Sequence, residues 1–191
     1  NEVLKIIPTK YACINDADII IDKSMYGKAI EILKSGYDVV YPWNAQTNNV
    51  HHKYTKFHYF EIEDIGEEIQ ILYNFAKGAI FWVDVDFYKS IGGENEKFVG
   101  WGGEDEERYD RMQKFGKVFI LDTICWHMDH YRGNNSGRRS MSYHINCQEL
   151  EKVKAMSAED TKEYIQTWPW YEKLKNTIFL SRCFYRKDPE W

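Results

Sequence analysis

The sequence lacks the features that typically mark a nucleic-acid-binding, zinc-ribbon or membrane-spanning protein. Its longest basic run is Arg138-Arg139 and its net charge is -5, so nucleic acid is not an expected partner. Its four cysteines show no CxxC spacing, which argues against a zinc ribbon and against a dense disulfide framework. No apolar run is long enough to span a membrane, so we expect no transmembrane segment in this chain.

The sequence also shows no signal peptide, and it starts at Asn1 rather than at a methionine. A cytoplasmic location is therefore favoured for this chain. The lumen of the secretory pathway is the alternative if a targeting segment precedes Asn1. The length of 191 residues predicts a single domain, residues 1–191.

Aromatic residues are abundant, with 14 Tyr and 7 Trp in the chain. Such rings mostly fill cores, but Tyr and Trp also line sites that bind carbohydrate or other ligands with polar and apolar faces. The W-P-W-Y segment at 168–171 allows both interpretations, and core packing is favoured there over an aromatic platform.

Strand and helix patterns alternate along the chain, which predicts an α/β fold with a mixed, largely parallel sheet flanked by helices. Strands are predicted at 11–15, 37–41, 54–62, 78–83 and 118–121. Helices are predicted at 22–33, 68–76, 86–90, 103–115, 143–156 and 159–176, with polar loops at 44–53 and 133–139. Ligands of such sheets collect at the carboxyl ends of strands.

Asp16 and Asp18 stand at such an end, in the stretch N-D-A-D directly after the first buried strand. Two carboxylates at this spacing can bind a hard divalent cation, which prefers oxygen ligands. The pattern alone is weak, because aspartate also ends strands for conformational reasons. The same spacing recurs at Asp84 and Asp86, where Asp86 is expected to cap the short helix that follows.

His127 and His130, in the stretch W-H-M-D-H, form a second candidate half-site. Two histidines three residues apart can share a metal on one side of a turn, and histidine with carboxylate suits Mn²⁺ or another first-row metal. Two histidines without a metal are the alternative. The presence of both half-sites in one domain favours the metal.

The stretch FVGWGGEDEERYDRM, residues 98–112, runs from flexible glycines into four consecutive acids. Acids at the first turn of a helix are stabilised by its unpaired N–H groups. Glu104 with Arg108, and Glu107 with Arg111, have the spacing of favourable ion pairs. Stabilisation of the helix N-terminus and ion pairing therefore explain why acidic residues in general occur at these positions.

Helix design does not explain why these acids follow Gly100-Trp101-Gly102-Gly103. Glycines allow the backbone to approach a ligand closely. A carboxylate beside mobile glycines and a tryptophan is a good general base for a sugar hydroxyl, provided that the site excludes water when it closes.

Residues 92–107, GGENEKFVGWGGEDEE, resemble the signature of the β-1,4-galactosyltransferases and their relatives. These relatives include the xylosylprotein galactosyltransferases and the galactosaminyl domain of bacterial chondroitin polymerase. The family also carries D-x-D after a strand upstream, here Asp16-Ala-Asp18, and a metal-binding histidine motif downstream, here His127-x-x-His130. The order and the approximate spacing agree from residue 11 to about residue 132.

The resemblance implies a GT-A fold, a UDP-sugar donor, Mn²⁺ or another divalent cation, a saccharide or glycoconjugate acceptor, and inversion at the anomeric carbon. Galactose is favoured as the sugar, within the class of hexoses and N-acetylhexosamines. The implied roles are metal binding by Asp18, His127 and His130; donor binding by Asp16, Trp101, Gly102 and Gly103; acceptor binding by Glu104 and Trp101; and general base catalysis by Asp105.

Only 15 residues precede Asp16, so the chain is expected to lack part of the N-terminal nucleotide-binding half of that fold. This keeps open an inactive carbohydrate-binding module that retains the fold. A hydrolase that uses Asp105 and Asp84 as acid and base is a third interpretation. Residues 133–191 resemble nothing assignable.

Overall fold

The computed structural model describes residues 1–44, 46–50, 70–74, 77–128, 130 and 137–184. Its helices are α1 Glu2–Ile6, α2 Ser24–Lys34, α3 Val85–Ser90, α4 Glu104–Phe115, α5 Met141–Lys154, α6 Ala158–Gln166 and α7 Tyr171–Phe184. Its strands are β1 Tyr11–Asn15, β2 Ile19–Ile20, β3 Val39–Tyr41, β4 Gln46–Val50, β5 Gln70–Asn74, β6 Ile80–Asp84, β7 Val118–Ile120 and β8 Cys125–Met128. Within the described ranges, none of the helices has both the length and the apolar character needed to cross a membrane.

The strands form two four-stranded sheets, in the orders β1-β6-β3-β7 and β2-β8-β4-β5. The α/β class, with mixed sheets flanked by helices, is confirmed. The predominance of parallel strands is not seen among the described ladders, where only β3–β7 and β4–β8 are parallel. The reason is that β6 lies between β1 and β3 and runs antiparallel to both. Strands β1 and β3, which are connected through helix α2, are therefore parallel to each other but are not neighbours in the sheet.

The main core lies between the first sheet and helices α3, α4, α6 and α7. Trp43 is fully buried, and its indole N–H donates to the carbonyl of Ile80 at 2.9 Å. Trp168 and Trp170 are also buried, with ring centroids 4.9 Å apart. The W-P-W-Y segment is therefore core, as favoured from the sequence.

Three element predictions were wrong. Strand β4 lies inside the predicted loop 44–53, and strand β5 lies inside the predicted helix 68–76. These polar or ambiguous segments are strands because β5 pairs with β4 and β4 pairs with β8. Such pairing is a tertiary interaction, which a local sequence pattern does not predict. The predicted helix 159–176 is two helices, α6 and α7, separated around Pro169, which cannot continue a helix.

Two further predictions lie outside the described residues, namely the strand at 54–62 and most of the loop at 133–139. The predicted cap of α3, Asp86, was wrong by two residues. The side chain of Asp84, not that of Asp86, accepts the N–H of Phe87 at 3.0 Å. Asp84 is the better cap because its backbone is extended, as the residue before a helix requires.

Candidate active site and metal centre

The short ladder between β2 and β8 brings the two predicted half-sites together. Ile19 pairs with His127, and the N–H of Met128 donates to the carbonyl of Asp18 at 2.8 Å. The Oδ2 atom of Asp18 is consequently 3.3 Å from Nε2 of His127 and 2.9 Å from Nε2 of His130. His127 lies in strand β8 rather than in a turn, so the ladder holds one of the two histidines.

The residues Asp18, His127 and His130 fit a divalent metal ion. One ligand atom from each lies within 4.8 Å of the other two. Ligand atoms about 2.1 Å from a common ion lie about 3.0–3.4 Å apart at octahedral or tetrahedral angles, close to the separations seen here. Two imidazole nitrogens and one carboxylate oxygen are a donor set for a first-row metal such as Mn²⁺. The side chain of His130 is 49% exposed, which leaves the cluster open on one side.

Asp16 connects this cluster electrostatically to helix α4. Its backbone N–H donates to the carbonyl of Ala79 at 2.9 Å. Burial raises the pKa of Asp16, and the nearby carboxylates of Asp105 and Asp18 raise it further. Ala79 has a φ of +71°, a left-handed conformation that is uncommon for a residue other than glycine. The structure therefore places a conformational outlier next to the D-x-D motif, as is often found at functional sites.

Asp105 lies in the first turn of α4, against the chain at Gly78. A Cβ atom built on Gly78 would lie 2.2 Å from Oδ2 of Asp105, so the carboxylate occupies the space where a side chain would otherwise stand. Its Oδ1 atom forms an ion pair with the guanidinium of Arg108. The side chain of Asp105 is 42% exposed, and it therefore combines a fixed position with access to solvent.

Glu104 does not form the expected ion pair with Arg108. Arg108 instead binds Asp105 and Glu94, while the second expected pair, Glu107 with Arg111, is present. Among the described residues, Oε2 of Glu104 is buried and has no hydrogen-bond partner. Burial raises the pKa of Glu104. An unpartnered buried carboxylate oxygen beside Asp105 is a place for a donor from a ligand.

Trp101 lies in the glycine-rich loop before α4 and is 37% exposed. Its ring stacks on that of Tyr143 in α5, with centroids 5.8 Å apart and planes 20° apart. Gly102 has a φ of +108°, and a Cβ atom there would lie 2.6 Å from the Tyr143 ring. Gly103, with a φ of +92°, is the N-cap of α4. Only glycine at 102 therefore allows the loop to rest against α5 in this way.

Sequence reasoning missed four residues of this site: Arg108 in its observed role, Glu94, Gly78 and Tyr143. Arg108 carried a signal, but its spacing from Glu104 pointed to the wrong acid. Tyr143 lies in the segment that resembles nothing assignable, and no motif marked it. Asp84, the acid of the hydrolase interpretation, is engaged in capping α3.

Residues 67–131, which are 65 of the 191 residues, match the model of the family described as the N-terminal domain of galactosyltransferase. The matched segment includes the glycine-rich loop, α4, β8 and both candidate histidines. This match supports a galactosyltransferase-like family for the chain, and with it the class of glycosyltransferases. No curated protein matches the chain.

Proposed function

We propose that the chain is a metal-dependent inverting glycosyltransferase. It transfers a hexose or N-acetylhexosamine, with galactose favoured, from a UDP-sugar to a saccharide hydroxyl by a single displacement. The observation that carries the proposal is the convergence of Asp18, His127 and His130 into one cluster. Asp16 interacts electrostatically with both this cluster and helix α4, because the carboxylates of Asp105 and Asp18 add to the effect of burial on its pKa.

Asp18, His127 and His130 would hold Mn²⁺ or another divalent cation. When bound, such an ion neutralises the negative charge that develops on a departing nucleotide diphosphate. Asp16 lies next to this cluster in sequence, and it would contact the donor. Burial raises the pKa of Asp16 most, and the carboxylates of Asp105 and Asp18 raise it further; a cation held by Asp18 would offset the second contribution.

Asp105 would act as the general base that removes the proton of the acceptor hydroxyl. Its side chain is partly exposed and lies in the first turn of α4. Glu104 would bind the acceptor: its Oε2 atom has no hydrogen-bond partner among the described residues, and movement of the glycine-rich loop would expose it to a second sugar hydroxyl. Holding the acceptor beside the base makes the reaction effectively unimolecular.

Trp101, Gly102 and Gly103 would contact donor and acceptor and cover the site. The aromatic ring supplies an apolar face for a sugar ring, and the glycines allow the loop to change conformation. Closure of such a loop would exclude water, which would otherwise hydrolyse the donor.

The first test is calorimetric titration of Mn²⁺ into the purified chain, with and without UDP, for the parent and for Asp18→Ala and His130→Ala. Asp86→Ala is the matched control, because it removes an aspartate of the other D-x-D triplet. We expect measurable binding in the parent and in the control, and loss of binding in both site variants. Stronger binding of Mn²⁺ in the presence of UDP would support a nucleotide site in this chain.

Release of UDP from UDP-galactose, UDP-N-acetylgalactosamine and UDP-glucuronic acid, in the presence of Mn²⁺ and saccharide acceptors, tests turnover. Acceptor-dependent release supports the transferase. Saccharide binding without any turnover supports the inactive carbohydrate-binding module instead. Metal binding that survives both site variants contradicts the metal assignment.

A further inference from the structure

We propose that Arg108 and Gly78 are positioning residues that hold the carboxylate of Asp105 in one orientation, with Oδ1 paired to the guanidinium and Oδ2 packed against Gly78. The inference rests on the proposed role of Asp105 as the general base. The sequence motifs assign neither residue a role in holding Asp105.

Arg108 anchors Asp105 from the inside of the protein. It is only 7% exposed, and its two terminal nitrogens are divided between two acids. One nitrogen contacts Oδ1 of Asp105, and the other lies 3.1 and 3.0 Å from the two carboxylate oxygens of Glu94. The guanidinium also lies over the ring of Phe81, 4.7 Å from its centroid. A planar group held on three sides in this way has little freedom to rotate.

Glu94 fixes Arg108 in turn. Its carboxylate accepts a hydrogen bond from the hydroxyl of Tyr88, and its backbone is tied to Asn1 by bonds of 2.9 and 2.7 Å. Burial raises the pKa of Glu94, but the guanidinium of Arg108, the hydroxyl of Tyr88 and the guanidinium of Arg111 together lower it by more, so the pKa of Glu94 is lowered. Glu94 therefore stays ionised and keeps its hold on Arg108.

Gly78 provides the space that the other oxygen occupies. An added Cβ atom would lie 2.2 Å from Oδ2 and 2.7 Å from Cγ of Asp105. Gly78 does not have a positive φ, so an alanine there is not strained by its backbone. The substitution Gly78→Ala therefore displaces the flexible Asp105 side chain with little other consequence.

The test compares Arg108→Gln, Arg108→Lys and Gly78→Ala with the parent, with Gly27→Ala as a matched control. Gly27 lies in α2 and has open space around it. The readouts are kcat and KM for UDP release with UDP-galactose, Mn²⁺ and a saccharide acceptor, Mn²⁺ affinity by calorimetry, and the crystal structure of each variant.

We expect Arg108→Gln and Gly78→Ala to lower kcat about 10- to 100-fold, because a displacement of about 1 Å can cost a factor of this size. KM for the donor and Mn²⁺ affinity are expected to stay within about twofold, since neither residue touches the cluster. Arg108→Lys should recover part of kcat, because its ammonium keeps the charge but cannot engage both acids in the same geometry. Crystal structures should show the Asp105 carboxylate moved from its place against residue 78.

An unchanged kcat in Gly78→Ala, or an unmoved Asp105 in either variant, would overturn the inference. If Arg108→Gln does not fold, Gly78→Ala still decides the matter. If the parent shows no turnover with any of the three donors, the proposed function fails, and the crystal structures alone then decide whether Arg108 and Gly78 position Asp105.

Discussion

Helix α4 carries two acid–arginine pairs about one turn apart, and their surroundings differ sharply. Glu107 and Arg111 are 1% and 0% exposed, and Arg111 also donates to the carbonyls of Ile91 at 2.5 Å and Gly93 at 2.8 Å. Asp105 pairs with the buried Arg108 but is itself 42% exposed. The protein itself supplies the partners of the first pair, whereas the second pair leaves the carboxylate of Asp105 partly exposed to solvent. The same chemistry thus serves stability in one place and, we infer, reaction in the other.

The largest effect on stability is expected from breaking the buried ion pair between Glu107 and Arg111. Arg111→Ala should reduce the free energy of unfolding by about 3–5 kcal/mol, because it leaves the carboxylate of Glu107 buried without a partner. Urea denaturation followed by tryptophan fluorescence measures this loss. The double variant Glu107→Leu/Arg111→Met should recover most of it, since no buried charge then remains. A loss below about 1 kcal/mol would show that water reaches Glu107.

Breaking the partly exposed pair between Asp105 and Arg108 should instead have a large effect on activity and a small effect on stability. Asp105→Asn should lower kcat for sugar transfer by about 10²- to 10⁴-fold, as loss of a general base does. Its free energy of unfolding should change by less than about 1 kcal/mol, because the acid is partly exposed and Arg108 retains Glu94. Full activity in this variant, measured by UDP release, would remove Asp105 from the chemistry.

A substitution in the glycine-rich loop before α4 should have an intermediate effect on stability. Gly102→Ala would put a Cβ atom on a left-handed backbone and 2.6 Å from the Tyr143 ring. The substitution should therefore lower the free energy of unfolding by about 1–3 kcal/mol. Gly27→Ala is the control of opposite sign: it should gain about 0.5–1 kcal/mol, because the position lies inside a helix with open space. Equal stabilities of the two variants, by urea denaturation, would contradict the loop conformation.

The smallest effect concerns Glu104, the acid of this turn with an unpartnered oxygen. Burial raises its pKa above the ordinary value of 4.5, so the folded state binds its proton more tightly than the unfolded state does. Stability is therefore lost as the pH rises from about 4.5 through the folded pKa, and the loss persists at neutral pH. Glu104→Gln should consequently be more stable than the parent at pH 7, by less than about 1 kcal/mol.

Below a pH of about 4.5 this advantage of Glu104→Gln should disappear, because the parent is then protonated at Glu104 in both states. Thermal denaturation of both proteins across pH 4–8 measures the difference. An advantage that grows on acidification would have the wrong sign for a buried carboxylate.

Much of the fold and several site residues were predictable because the signals are local. The strand at 11–15 and the acidic helix at 103–115 are predicted by hydrophobic pattern and helix-end chemistry, and both are present. Strands β4 and β5 were missed because the pairing of β5 with β4 and of β4 with β8 is a tertiary property. The D-x-D and histidine motifs were visible separately, but only the ladder between β2 and β8 shows that they meet.

The choice of partner for Arg108 could not be predicted for a related reason. Spacing along a helix offers both Glu104 and Asp105 as partners, and it says nothing of Glu94, which precedes the helix. The structure resolves this because Glu94 lies on the same side of α4 as Asp105. The role of Tyr143 could not be predicted from the local sequence pattern either, since it depends on the packing of α5 against the glycine-rich loop, where Tyr143 stacks on Trp101.

The insertion of β6 between β1 and β3 has a consequence for how the chain folds as it is made. Both β1 and β3 pair with β6, and among the described strands β1 has no other ladder partner, so its hydrogen bonds wait until β6 emerges. At a synthesis rate of roughly 5–20 residues per second, β1 waits for about 70 residues, or roughly 4–14 s. During that time its edges are open to other chains, which makes slow translation or early termination before Ile80 a hazard for aggregation.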